Sequence, residues 1–149
     1  MIKTEEDLKS ATSDFFKMFW SVINIEPPAW SSHWLFDGTI PNHDKRGCYA
    51  LFEDKEIIYI GVAIGESHPK YQGHGLGNRL NHYWEVDKGN VDKEKRTRKY
   101  KATDDWKEVT SIMTIGFDEH HYSIAAALEV YLIDKLSPSR NKNHKPTQD

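Results

Sequence analysis

Glu129 is the residue whose setting most constrains its chemistry. It lies within residues 118–136, which read as a helix, and its neighbours at i−4, i−3, i+3 and i+4 are Ala125, Ala126, Leu132 and Ile133. A carboxylate among apolar neighbours is expected to be buried, and an unpaired buried charge is strongly unfavourable. Such a group calls for a cation, an arginine or a metal ion, and the two small alanines leave room beside it. A structural ion pair, or a helix turned so that the carboxylate meets water, would satisfy the same pattern. Arg79 is the second candidate. It sits beside an apolar ridge of Leu76, Leu80 and Trp84 on a predicted short helix over 78–86, with His82 at i+3 and Tyr83 at i+4. A guanidinium fork suits phosphate because it donates two parallel charge-assisted hydrogen bonds. An ordinary surface arginine fits the pattern too.

Tyr49 and Tyr59 stand on two predicted strands, 47–53 and 56–64, rich in aromatic and β-branched residues. A three-residue loop at Glu53-Asp54-Lys55 pairs Phe52 with Glu56 and Tyr49 directly with Tyr59, both on one side of the hairpin. Cys48, Ala50, Phe52, Ile58 and Ile60 then line the other side. A two-residue turn at Asp54-Lys55 instead puts the tyrosines on opposite faces. The tyrosine arrangement therefore tests the register.

Positioning these groups falls to a short list of elements. Residues 4–23 read as an amphipathic helix, with Thr4 and Asp7 in capping-box spacing and Pro27-Pro28 beyond its end. An irregular aromatic stretch with Trp30, Trp34 and Phe36 follows as a collar over the core. After the hairpin come a glycine-rich loop over 65–77, the short helix, a charged connector over 87–105, a third strand over 108–117 and the last helix, opened by Asp118. Two strands joined by a tight loop are antiparallel. The expected class is α+β, with a small central antiparallel or mixed three-stranded sheet flanked by helices and an N-terminal helical extension. The division is residues 1–46 for the extension, 47–143 for the main domain and 144–149 for a mobile tail.

Composition narrows the function classes. The 149 residues carry a net charge of −3, so a chain-wide basic coat is absent. Basic residues nonetheless cluster, with six among the nine of 93–101 and a second group at Lys135, Arg140, Lys142 and Lys145. Such a stripe can contact phosphates on a molecule that is acidic overall. One cysteine, Cys48, excludes an internal disulfide framework and a multi-cysteine zinc module. No apolar run approaches the roughly 20 residues of a membrane span, and the opening residues lack an apolar leader. No membrane association and a cytoplasmic setting are expected. Eight histidines, among them His68, His74, His82, His120 and His121, form no His-x-x-x-His pair.

Taken in order, Gly47-Cys48-Tyr49, Tyr59-Ile60-Gly61, Arg79 with Tyr83 four residues on, Glu129 and Pro138-Ser139-Arg140-Asn141 resemble the motifs of the GIY-YIG nucleases. The resemblance spans about two-thirds of the chain, and the Glu129-to-Asn141 interval of twelve suits it. Cys48 stands where a branched aliphatic is usual. The segment between Gly61 and Arg79 is longer than in compact members, and the first 46 residues have no counterpart.

The resemblance implies a metal-dependent endonuclease that hydrolyses phosphodiester bonds in DNA, for restriction, homing, repair or phage defence. Glu129 would hold one divalent ion, Mg2+ or Mn2+, and Arg79 would clamp the phosphate. Tyr49 would orient or deprotonate the attacking water, with Tyr83 or His82 as relay, and Tyr59 would bond the phosphate or its water. Asn141 would tie the tail to the site, and Gly47 and Gly61 would serve structurally. Lys95, Arg96, Arg98, Lys99, Arg140 and Lys142 are the expected nucleic-acid contacts. A homodimer would allow both strands to be cut. The alternatives are a nucleic-acid-binding module of this fold without catalysis, a histidine-based metal protein, and an unrelated α+β domain.

Overall fold

Thr4 opens the first helix. Its backbone N–H donates to the Asp7 carboxylate at 2.8 Å, which closes the capping box. Helix α1 spans Glu5–Phe19 in the computed structural model, which describes residues 1–65, 75–88 and 98–141. It stops short of residue 23. The Trp20 indole donates to the Ile25 carbonyl at 2.7 Å and the Ile23 N–H to the Trp20 carbonyl, so the chain turns before the prolines. Leu8, Phe15 and Phe16 are buried against the last helix, α3, Ser123–Leu136. That helix begins five residues later than expected. Asp118 instead accepts the His120 N–H and meets His121 in a separate turn. Ser137, in the left-handed region at φ 46, ends α3 ahead of Pro138.

Strands β1, Arg46–Glu53, and β2, Glu56–Ala63, form the hairpin, and β5, Ser111–Phe117, completes an antiparallel sheet in the order β2-β1-β5. The protein is α+β, and every pairing in this sheet is antiparallel. Among the described residues no helix is long and apolar enough to cross a membrane.

The hairpin register corrects the expected pairing. Glu53 faces Glu56 across a two-residue turn, with Asp54 at φ 52, and Tyr49 lies opposite Gly61 rather than Tyr59. Parity alone would then separate the tyrosines. It does not, because the register shifts at Leu51/Phe52: Leu51 pairs with Tyr59 and Phe52 with Ile57, leaving Ile58 as an extra residue. This β-bulge reverses the face of everything beyond it. Ile57 and Ile60 join Cys48, Ala50 and Phe52 beneath α1 and α3, while Ile58 and Tyr59 join Tyr49 on the other side. Ile58 therefore leaves the face to which simple alternation assigns it.

The short helix is also corrected. Helix α2 spans Gly75–Leu80, and Trp84 lies beyond it in a strand, β3, Trp84–Val86, paired with β4, Tyr100–Ala102. The connector over 87–105 thus contributes β4, one strand of a second, two-stranded sheet. A Cβ at Gly77 would come within 3.1 Å of the His43 carbonyl, and the Leu76 and Gly77 N–H groups donate to the Lys45 and His43 carbonyls. Glycine lets α2 seat directly on residues 43–46. A single turn of 3-10 helix, Asp104–Trp106, leads back to β5.

Both flanks of the three-stranded sheet are lined by chain. Ser31 and Trp34 of the collar hydrogen-bond to Thr114 and Ile112 along β5. On β2, Ile57 donates to the Lys3 carbonyl, the Ile58 carbonyl accepts from Arg140, and Asn141 grips Ile60.

Candidate active site

Three phenols converge on the face away from α1. Tyr49 comes from the central strand, Tyr59 from β2 just past the bulge and Tyr83 from the turn after α2. Their ring centroids lie 6.2 Å apart for 49–59, 5.5 Å for 49–83 and 6.1 Å for 59–83. The Tyr49 and Tyr83 hydroxyls are 2.8 Å apart. Gly61 makes this possible, since a Cβ there would collide with the Tyr49 ring that lies over it. Gly47 serves the other neighbour, because a Cβ would strike the Ile115 carbonyl and part β1 from β5.

Burial pushes the Tyr49 phenol up to about 12. Burial also raises Tyr59 to about 12, helped by Tyr83 and by the Glu129 charge. Tyr83 moves in the same direction, again chiefly through burial. These are neutral phenols near pH 7, able both to donate and to accept. The contact with Tyr49 raises the Arg79 guanidinium pKa, so that arginine stays charged. Arg79 itself is exposed on α2, and its guanidinium hydrogen-bonds to the Tyr49 hydroxyl.

Glu129 is half-buried on α3. Its charge acts on Tyr59, as does that of Arg79 with the opposite sign. Glu129 also acts on Cys48, whose thiol donates to the Ala125 carbonyl at 3.1 Å. Helical geometry makes that carbonyl the acceptor of the Glu129 N–H. Cys48 thereby fixes β1 to the turn of α3 that carries the carboxylate, and burial pushes its pKa well up.

Asn141 is buried. Its carboxamide accepts the Ile60 N–H at 2.9 Å and donates to the Ile60 carbonyl at 2.8 Å. It pins the chain after α3 to the strand between Tyr59 and Gly61. His82 is exposed in the turn after α2, its carbonyl accepting from Thr103. Tyr83, rather than His82, joins the phenols.

Of the expected phosphate contacts, Arg98 and Lys99 are exposed immediately before β4. Arg140 is engaged elsewhere: it bonds the Glu108 carboxylate and the Asp105 carbonyl and stacks on Trp106 at 3.5 Å. Lys95, Arg96, Lys142 and the tail over 144–149 lie outside the described residues, as do His68 and His74. Trp106 escapes the sequence reading altogether. It contacts Tyr83 at 4.8 Å and Tyr59 at 5.3 Å, edge on, and closes the aromatic cluster. Its one sequence signal is a lone tryptophan in the polar run Asp104-Asp105-Trp106-Lys107.

The arrangement brings a charged guanidinium against three buried or half-buried phenols, with the Glu129 carboxylate near enough for its charge to act on Tyr59. No protein-family model, curated protein or solved structure matches the chain.

Proposed function

We propose that this chain is a metal-dependent endonuclease of the GIY-YIG type that hydrolyses phosphodiester bonds in DNA. One observation carries the reading: the Tyr49, Tyr59 and Tyr83 rings pack together, and Tyr59 feels the charges of both Arg79 and Glu129, which act on it with opposite sign. Residues 79 and 129 are far apart in sequence and on different helices.

The donor set fits a magnesium or manganese ion. Mg2+ keeps several waters and takes one or two protein carboxylates, and Glu129 would be that ligand. Among the described residues no group of three His, Cys, Asp or Glu stands together, so the ion would depend on this one carboxylate, on water and on the phosphate itself. When bound, the ion supplies positive charge at the scissile phosphate. Arg79 holds the phosphate from the other side through its fork. Tyr49, pushed up to about 12, keeps its proton at neutral pH; being wholly buried, it positions Arg79 and Tyr83 rather than touching the attacking water, which falls to the half-buried Tyr59. Tyr83 fixes the Tyr49 hydroxyl, and Tyr59 bonds the phosphate or its water. Asn141 and Cys48 position β2 and α3 around the site. Arg98 and Lys99 supply contacts to the flanking backbone.

Nicking of supercoiled plasmid by the intact chain, with Mg2+ or Mn2+ and with EDTA as control, tests this. Metal-dependent nicking that Glu129→Ala abolishes while the fold persists is the expected result. A folded chain that binds DNA and never nicks it would leave the binding-module alternative. Full activity in Glu129→Ala would remove the metal role.

A further inference from the structure

Helix α2 carries two functional flanks. Leu76 and Leu80 point into the core. At 100° per residue, Arg79 lies on one side of that ridge and Gly77 and Asn81 on the other. Beyond Gly77 and Asn81 is a separate cleft of about 400 Å³ that also takes in Trp34, Trp84, Tyr100 and Arg98.

The cleft is built by segments with no place in the motif set. Trp34 is buried, its indole held by the Asp37 and Gly38 carbonyls at 3.1 and 3.3 Å. Its ring lies 4.7 Å from Trp84 and 5.7 Å from Tyr100. Backbone hydrogen bonds from Gly38 to Arg98 and from Tyr100 to Phe36 knit the collar to β4, so the walls are preformed. Phe36 is held at φ 64, a conformation uncommon for a bulky residue, where the chain wraps the cleft. The nearby carboxylate of Glu85 is matched by Lys101 at 3.5 Å, which leaves Arg98 as a rim cation.

We propose that this cleft receives one unpaired nucleobase of the DNA strand held at the active site, stacking it on the Trp84 ring. The proposal rests on the nuclease reading and adds to it a substrate class: DNA with a base out of the helical stack. The chemistry agrees on three counts. Aromatic walls stack any base. The exposed Asn81 carboxamide can both donate to and accept from a base edge, and Arg98 neutralises the adjoining phosphate. The volume lies at the small end of ligand pockets, room for one nucleoside and not for a stacked pair. The spacing agrees too, because only the width of α2, roughly 10 Å, separates the cleft from Arg79. A paired base enters only by breaking its pair and leaving its stack. One already unpaired enters without the cost of leaving its stack.

The test is equilibrium binding of the full chain, with EDTA present so that nothing is cut, to a paired duplex and to the same duplex with one bulged 2-aminopurine. The bulged duplex should bind about 5-fold or more tightly, in line with the worth of one base–aromatic stack, and the 2-aminopurine emission should be quenched. Trp84→Ala should bring the two affinities within about 2-fold of each other. If that variant does not fold, the Asn81→Ala/Arg98→Ala double variant at exposed positions should shrink the preference instead. Equal affinity in the wild type, no binding of either duplex, or a preference unchanged in a folded variant would each overturn the proposal. Nicking is read separately. A chain that prefers the bulge without cutting keeps the cleft and loses the nuclease reading, and one that cuts without preference does the opposite.

Discussion

The Tyr49 hydroxyl lies 2.8 Å from that of Tyr83, a residue 34 positions further along, with both rings buried. This bond ties the central strand to the turn that follows α2. Arg79, four residues before Tyr83, is thereby held at the same spot as the phenols. Either tyrosine changed to phenylalanine leaves the other hydroxyl buried with one partner fewer, at a cost of about 1–3 kcal/mol.

The same burial fixes a pH dependence. A free tyrosine ionises near 10, whereas Tyr49 does so at about 12 in the fold and Tyr83 is also raised. A group raised on folding contributes stability in full below its unfolded value and loses it as pH climbs towards the folded one. Unfolding free energy should therefore decline from about pH 10 upward, by at most about 1.4 kcal/mol per pH unit for each phenol. Urea melts from pH 8 to 11, with phenolate absorbance followed in parallel, check this. Tyr49→Phe should shallow the decline, and phenols that all titrate near 10 without loss of structure would contradict it.

Two glycine substitutions should differ in severity. At Gly61 an added methyl meets the Tyr49 ring, a side chain with little room to move, and overpacking of this kind costs about 1–3 kcal/mol. At Gly47 it meets the Ile115 backbone, which cannot yield without separating two strands. Denaturant melts should rank Gly47→Ala as the more damaging. Gly61→Ala should keep the fold and lose activity, because Tyr49 is displaced. The reverse ranking would contradict the β1–β5 register.

Asn141→Ala removes both partners of a buried strand amide and should cost about 2–4 kcal/mol. Asn141→Asp should be worse, since a carboxylate would then face the Ile60 carbonyl. Thermal melts of the two variants give the order directly.

Arg79→Ala should separate activity from stability. The residue is exposed, but it hydrogen-bonds to the buried Tyr49 hydroxyl, so unfolding free energy should fall by about 1 kcal/mol, far less than the loss in rate. The nicking rate should fall by about two to five orders of magnitude, the loss expected on removing a transition-state charge clamp. Arg79→Lys, which keeps the charge and loses the fork, should lie between. A loss below tenfold would leave Arg79 a packing residue.

Much of this arrangement is legible in the sequence. Thr4 with Asp7, the two hairpin strands and a glutamate flanked by alanines each declare themselves through local pattern. Register is another matter. Ile57, Ile58, Tyr59 and Ile60 are all apolar or aromatic, so no alternation marks which residue is extra, and turn length and bulge cancel in their effect on the tyrosines. Trp84 satisfies a helical spacing that the chain abandons at Leu80, because pairing with β4 and stacking on Trp34 recruit it into a strand. The role of Trp106 depends on contacts with residues 59, 83 and 140, which no local pattern carries.

The segments bordering the three-stranded sheet bear on how this molecule can associate. Backbone groups of β5 answer to Ser31 and Trp34, and those at 57, 58 and 60 of β2 to Lys3, Arg140 and Asn141. At these positions a visiting peptide or a second copy finds no vacant amides to zip onto, and recognition there must proceed through side chains. Clipping the polypeptide after Ser139 would uncover that ladder at 58 and 60. The shortened product should then precipitate under conditions in which the whole protein stays dispersed.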